Sequence, residues 1–197
     1  LGYRNRDRTA KRFLQNTLEI DGNSRLFTEN QLEFRIEGST MKNLRFILAG
    51  KVGTQIDTDN YRLGDIIEIK PELRLHLTNN LELGLQDTYR QLDVEGGRLF
   101  TENYLGVHLI YHFERGSFIR LTVIDDYVSR DPSLYLFEDV DRLERETTGE
   151  ILFAWKPTQL NHLFIGAKTG AVDSDALDNQ ELEDMAFYIK YKRAFAF

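Results

Sequence analysis

The chain has 197 residues, a formal net charge of -7, 41% hydrophobic and 12% aromatic residues, three Pro, two Met and no Cys. The acidic balance and the lack of any Lys/Arg run exclude a nucleic-acid binder, and the absence of Cys removes disulfides, thiolate metal sites and a Cys nucleophile. No run approaches the roughly 18 consecutive apolar residues of a membrane-spanning helix.

In chain order, the Leu1–Tyr3 tripeptide reads like the tail of an earlier strand, which favours a truncated wall. The start at Leu1, without Met or signal peptide, reads as a processed or excised piece whose export signal would lie upstream. Period-two alternation then predicts about ten strands, near 11 to 20, 26 to 37, 43 to 53, 64 to 77, 81 to 93, 101 to 113, 118 to 129, 147 to 157, 162 to 170 and 184 to 197. Most exceed the typical globular strand and reach the roughly 9 to 11 residues of a tilted membrane-crossing strand.

Parity separates two faces. In "LRFILAGKV" the polar side holds Arg45 and Lys51. In "IIEIKPELRLHL", Ile67, Ile69, Leu73, Leu75 and Leu77 oppose Glu68, Lys70, Glu72, Arg74 and His76, with Pro71 predicting a bulge or an unpaired position. "NYLGVHLIYHF" sets Leu105, Val107, Leu109, Tyr111 and Phe113 against Tyr104, His108, Ile110 and His112, while "FIRLTVIDDY" puts Arg120 and Asp126 on its polar side. Residues of the polar parity, expected to line a lumen, are Arg35, Arg45, Glu68, Lys70, Glu72, Arg74, His76, Glu82, Arg90, His108, His112, Arg120, Asp126, Glu150, Lys168 and Lys190, together with Glu33, Glu37 and Lys156. In a closed ten-stranded barrel such side chains fill the interior as salt-bridged layers; in a larger one they line water.

A soluble sandwich alternates in the same way. The connections distinguish the two: tight ones at "TNN", "ERGS" and "PTQLN" alternate with long polar ones such as "SRDPSLYLFEDVDRLERE" and "AVDSDALDNQELED". Short turns at one end and longer loops at the other are the habit of outer-membrane barrels. Phe113, Trp155, Phe195 and Phe197 would form an aromatic girdle at the tight-turn end. The last strand, "MAFYIKYKRAFAF", places Phe187, Ile189, Tyr191, Phe195 and Phe197 on one parity and resembles the C-terminal signal by which such proteins are recognised for barrel insertion. Arg193 departs from that signal, at a cost of about 0–1 kcal/mol near an interface, where it can snorkel.

The segments "SFIRLT", "RDPSLY", "PTQLNHLFIGAKTG" and "DSDALD" resemble the C-terminal barrel of a bacterial outer-membrane family without assigned function, whose members commonly carry a family-nine carbohydrate-binding-like domain ahead of the barrel. The resemblance covers the last 80 or so residues; upstream only the general barrel pattern is shared. It implies no catalytic residues. With no carbohydrate-binding domain visible, it implies that residues 1–197 are the C-terminal portion of something larger.

Candidate sites are sparse. His108 and His112 lie on one face but about 13 Å apart, too far to share a metal without a bend. Asp125 and Asp126 could activate water, yet adjacent strand residues point to opposite faces, and no Ser sits beside an inward His. Asp173, Asp175, Asp178, Glu181 and Glu183 offer oxygen ligands without an EF-hand spacing; bridging to lipopolysaccharide through a divalent ion is the sharper reading and a solvated loop the plainer one. "PSLYLFEDV" is apolar for an external loop, so it folds back into the mouth or meets a partner.

The expectation is an all-β, transmembrane, antiparallel up-and-down β-barrel in the bacterial outer membrane. It would serve as a pore, or as an anchor for a carbohydrate-related domain or partner, without cofactor, metal or catalysis. A barrel-embedded hydrolase with rim or lumen Asp and His is the alternative. Expected partners are outer-membrane lipid, lipopolysaccharide and the barrel-insertion machinery.

Overall fold

A computed structural model of the chain describes residues 1–9, 26–41, 43–113, 116–136, 140–158, 161–174 and 181–193. Ten strands follow one another: β1 (Gly2–Thr9), β2 (Leu26–Met41), β3 (Leu44–Asp57), β4 (Arg62–His76), β5 (Leu81–Val94), β6 (Gly97–His112), β7 (Phe118–Arg130), β8 (Leu143–Trp155), β9 (Asn161–Ser174) and β10 (Glu181–Arg193). Each pairs antiparallel with the next, giving a single up-and-down sheet in the order β1 to β10. Among the described residues no pairing joins β1 to β10, so the sheet is open. None of the described helices is long and apolar enough to cross a membrane.

The sheet is curled. Arg8 of β1 and Glu144 of β8 border the same cavity, which defines a concave face. Arg62 at the start of β4 donates to the carbonyl of Leu134 in the β7–β8 connection, three strands away. That connection begins with a 3-10 turn, Pro132–Leu134, capped by Asp131, whose carboxylate accepts from the Ser133 N–H at 3.0 Å.

Nine of the expected strands match observed ones except at their ends. The predicted segment near 11 to 20 lies outside the described residues, and β1 instead runs through Gly2–Thr9, where only a strand tail was expected. The β5–β6 turn is tighter than expected, at Glu95–Gly96, and Gly96 takes φ 104, a conformation that favours glycine. Short connections therefore occur at both ends of the sheet, and the long ones are β1–β2 and β7–β8; the expected long connection "AVDSDALDNQELED" is shorter than expected, because β9 reaches Ser174 and β10 begins at Glu181. Pro71 produces no bulge: the ladder to β3 runs through Leu48↔Pro71, while the ladder to β5 skips from Ile69↔Tyr89 to Glu72↔Gln86. The position lacking an N–H is thus the unpaired one.

Near the loop end the concave face becomes a small core. The register of β5 on β6 shifts between Leu92↔Phe100 and Asp93↔Arg98, leaving Leu99 as the extra residue of a bulge. Leu99 packs with Ile66 and Leu92, all at 2% exposure or less, and Leu134 and Tyr135 of the β7–β8 connection close over them. The segment beginning at Pro132 therefore folds back into the mouth, one of its two expected fates.

Candidate functional site

The convex face is divided by height. From the tight-turn end upward it shows Leu77 just beyond β4, Ile69 and Ile67 on β4, Tyr111 and Leu105 on β6, Leu121 and Val123 on β7, Ile151 and Trp155 on β8, Ile165 on β9 and Met185, Phe187, Ile189 and Tyr191 on β10, all exposed. Tyr111, Phe113 and Phe153 stack edge to face at 5.0 and 6.2 Å between centroids, beside Trp155 at the turn end. Phe195 and Phe197, the other expected girdle residues, lie outside the described residues.

Toward the loop end the same parity turns polar. Asn103 donates to Asp87 at 3.1 Å, Arg145 and Thr147 both donate to Asp125 at 2.8 Å, Arg98 donates to Asp93 at 3.0 Å, and Thr28 donates to Asp7 at 2.7 Å. These side chains form a polar collar toward the loop end, among which Leu26, Leu63 and Leu105 are also exposed. The parity reading did not find this collar, although Asp65, Asp87 and Asp125 on the apolar parity were its signal.

The register places every residue expected to line a lumen on the concave face. One row runs Ile47–Glu72–Gln86 and another Lys51–Glu68–Arg90–Glu102. Glu68 receives Lys70 at 2.9 Å, Lys51 at 3.5 Å and Arg90 at 3.9 Å. Arg45 and Arg35 share Glu37, Arg74 and His76 share Glu82, and Arg120 meets Glu150 at 3.2 Å. Higher up, Glu29 is 1% exposed and takes Arg6, Arg8 and the Ile56 N–H. Burial pushes its carboxyl up, but these donors outweigh it and hold Glu29 below its ordinary range.

The histidines stay apart. His76 faces Glu82, His108 lies over Gly84, where an added Cβ would meet its ring at 2.0 Å, and His112 tilts against Phe118. Among the described residues no three His, Asp or Glu side chains are grouped to hold a metal. Asp125 and Asp126 point to opposite faces, as the strand period requires; Tyr104 and Glu146 are the cross-strand partners of Asp126. One oxygen of Asp126 is buried without a partner. Asp175, Asp178 and the side chains of Glu181 and Glu183 lie outside what is described.

The loop-end mouth is a cavity of about 1000 Å³ between Arg8, Asp57, Arg90, Glu102, Tyr135 and Glu144. Arg90 lies 5.2 Å from the centroid of Phe100 and binds Glu102, and Arg130 meets Glu144 at 2.9 Å. The arrangement can hold water and small polar solutes between paired charges. Comparison with protein-family models, curated proteins and solved structures gives no match to this chain.

Proposed function

We propose that this chain forms the wall of a transmembrane β-barrel in a bacterial outer membrane, acting as a pore or as an anchor for a carbohydrate-related domain or partner. The observation that carries the reading is the convex apolar band, which becomes interspersed with polar side chains toward the loop end. From Leu77, just beyond β4, to Ile67 the outward positions cover ten steps, about 33 Å along the strand and about 25 Å once tilted by roughly 40°, the height of a barrel's lipid-facing belt; Leu63 is exposed beyond it. A soluble protein would need a second layer over this face, and none of the described residues supplies one. The resemblance of "PTQLNHLFIGAKTG" and its neighbours to an outer-membrane family points the same way.

Backbone accounting adds a requirement. β1 pairs only with Leu26 to Glu33 of β2, leaving the outer edge of Phe34–Met41 without a described partner. Unpaired N–H and C=O groups cost several kcal/mol each in hydrocarbon. The reading therefore requires that this edge be paired or covered wherever it meets hydrocarbon.

The test is to export the protein, extract it in detergent, and combine a heat-modifiability gel with planar-bilayer recording. A detergent-dependent, heat-modifiable species with stepwise current is expected for the pore, and the same species without current for the anchor. A folded protein that stays in water without detergent would overturn both.

A further inference from the structure

The concave charges are not evenly neutralised. On β2 to β5 each cluster of bases shares a carboxylate: Glu37, Glu68 and Glu82. The turn-end corner of β8 to β10 differs. The register sets Phe118, Ala154, Phe164 and Lys190 in one row, with His162 and Lys192 paired just below. Lys156, immediately beyond β8, holds its ammonium 5.1 Å from the centroid of Phe118. Lys190 and Lys192 are exposed, and two positions along a strand puts them about 7 Å apart on one face.

Among the described residues, the carboxylate of the neighbouring strand positions, Glu150, is turned away. Glu150 accepts from Arg120 at 3.2 Å and from the Tyr188 hydroxyl at 2.5 Å. Tyr188 reaches it by lying across Gly166, where a Cβ would sit 2.4 Å from the ring. The row Arg120–Leu152–Gly166–Tyr188 thus separates Glu150 from Lys190. Three ammonium groups and an imidazole, with no ion-pair partner among the described residues, remain around an aromatic floor on the concave face, opposite the apolar band.

We propose that this corner is a binding site for polyvalent anions of the phosphate type, gathered by Lys190, Lys192, Lys156 and His162, and that it biases passage toward anionic solutes. Several mobile ammonium donors without a resident counter-ion bind a compact polyanion by charge-assisted hydrogen bonds. Uncompensated bases lining water raise the local anion concentration. The binding site stands on the concave face alone, whereas the bias in passage rests on the pore reading.

Calorimetric titration of the detergent-extracted protein with sodium pyrophosphate tests the site; the reversal potential across a tenfold KCl gradient tests the bias. Wild type should bind pyrophosphate, Lys190→Glu/Lys192→Glu should bind at least about tenfold more weakly, and Lys190→Gln/Lys192→Gln should fall between, all three remaining heat-modifiable. Lys70→Gln, on the neutralised wall, should bind as wild type does. The chloride-to-potassium permeability ratio should exceed one and drop below one in the Glu pair. Absence of pyrophosphate binding, or equal weakening by Lys70→Gln, overturns the site. Cation preference in the wild type overturns the bias. Absence of current defeats the pore reading, while the pyrophosphate titration still decides the site.

Discussion

The loop-end and turn-end halves of this sheet differ in what they bury. At the loop end Ile66, Leu92 and Leu99 are sealed beneath Leu134, Glu29 is enclosed by arginines, and the convex side chains are hydrogen-bonded to one another. That half has its own small core and presents polar groups outward. At the turn end the concave Arg35, Arg45, Arg74 and His76 stay half exposed to one another across open space, and the exposed apolar residues point outward while Ile47, Phe118 and Phe164 lie on the concave side. In the membrane reading proposed above, one strand alternation serves two solvents: toward the loop end the protein makes its own interior, and toward the turn end the apolar environment comes from outside.

The largest test of that contrast lies in the enclosed half. Leu92→Ala removes a side chain 2% exposed from the bulge-centred core and should cost about 2–5 kcal/mol whatever surrounds the convex face. Leu121→Arg addresses the other half. Leu121 is 47% exposed on the convex face, so in water the change would be nearly neutral, whereas in a bilayer it should cost about 2–4 kcal/mol. Denaturant titration of both variants in lipid vesicles checks the pair. A neutral Leu121→Arg there would remove the apolar band from the argument.

These assignments were legible in different degrees. Face membership could be read directly, because a period of two is short enough for "IIEIKPELRLHL" to declare both sides. Height could not, because parity says which way Asp65, Asp87 or Asp125 points and nothing about where hydrocarbon ends. β1 escaped prediction for the same reason: its outward Asn5 and Asp7 sit at the collar, so "RNRDRT" carries no apolar alternation. The inward turn of Leu99 needed a bulge, which depends on how β5 and β6 are matched rather than on either sequence alone. At the candidate site, Lys168 and Lys190 were assigned to the correct face, but the absence of a counter-ion beside Lys190 depends on Tyr188 crossing Gly166.

The smallest effect should come from the collar. Arg145 is 48% exposed and its partner Asp125 23%, and water screens an ion pair at such a position. Arg145→Ala should therefore cost about 0.2–1 kcal/mol, since Thr147 still donates to Asp125. Raising salt should shrink the difference further. If hydrocarbon instead reached the height of Arg145, Asp125 would be left charged in lipid, and the loss would be several-fold larger and insensitive to salt. This weak mutation therefore marks the upper edge of the apolar band.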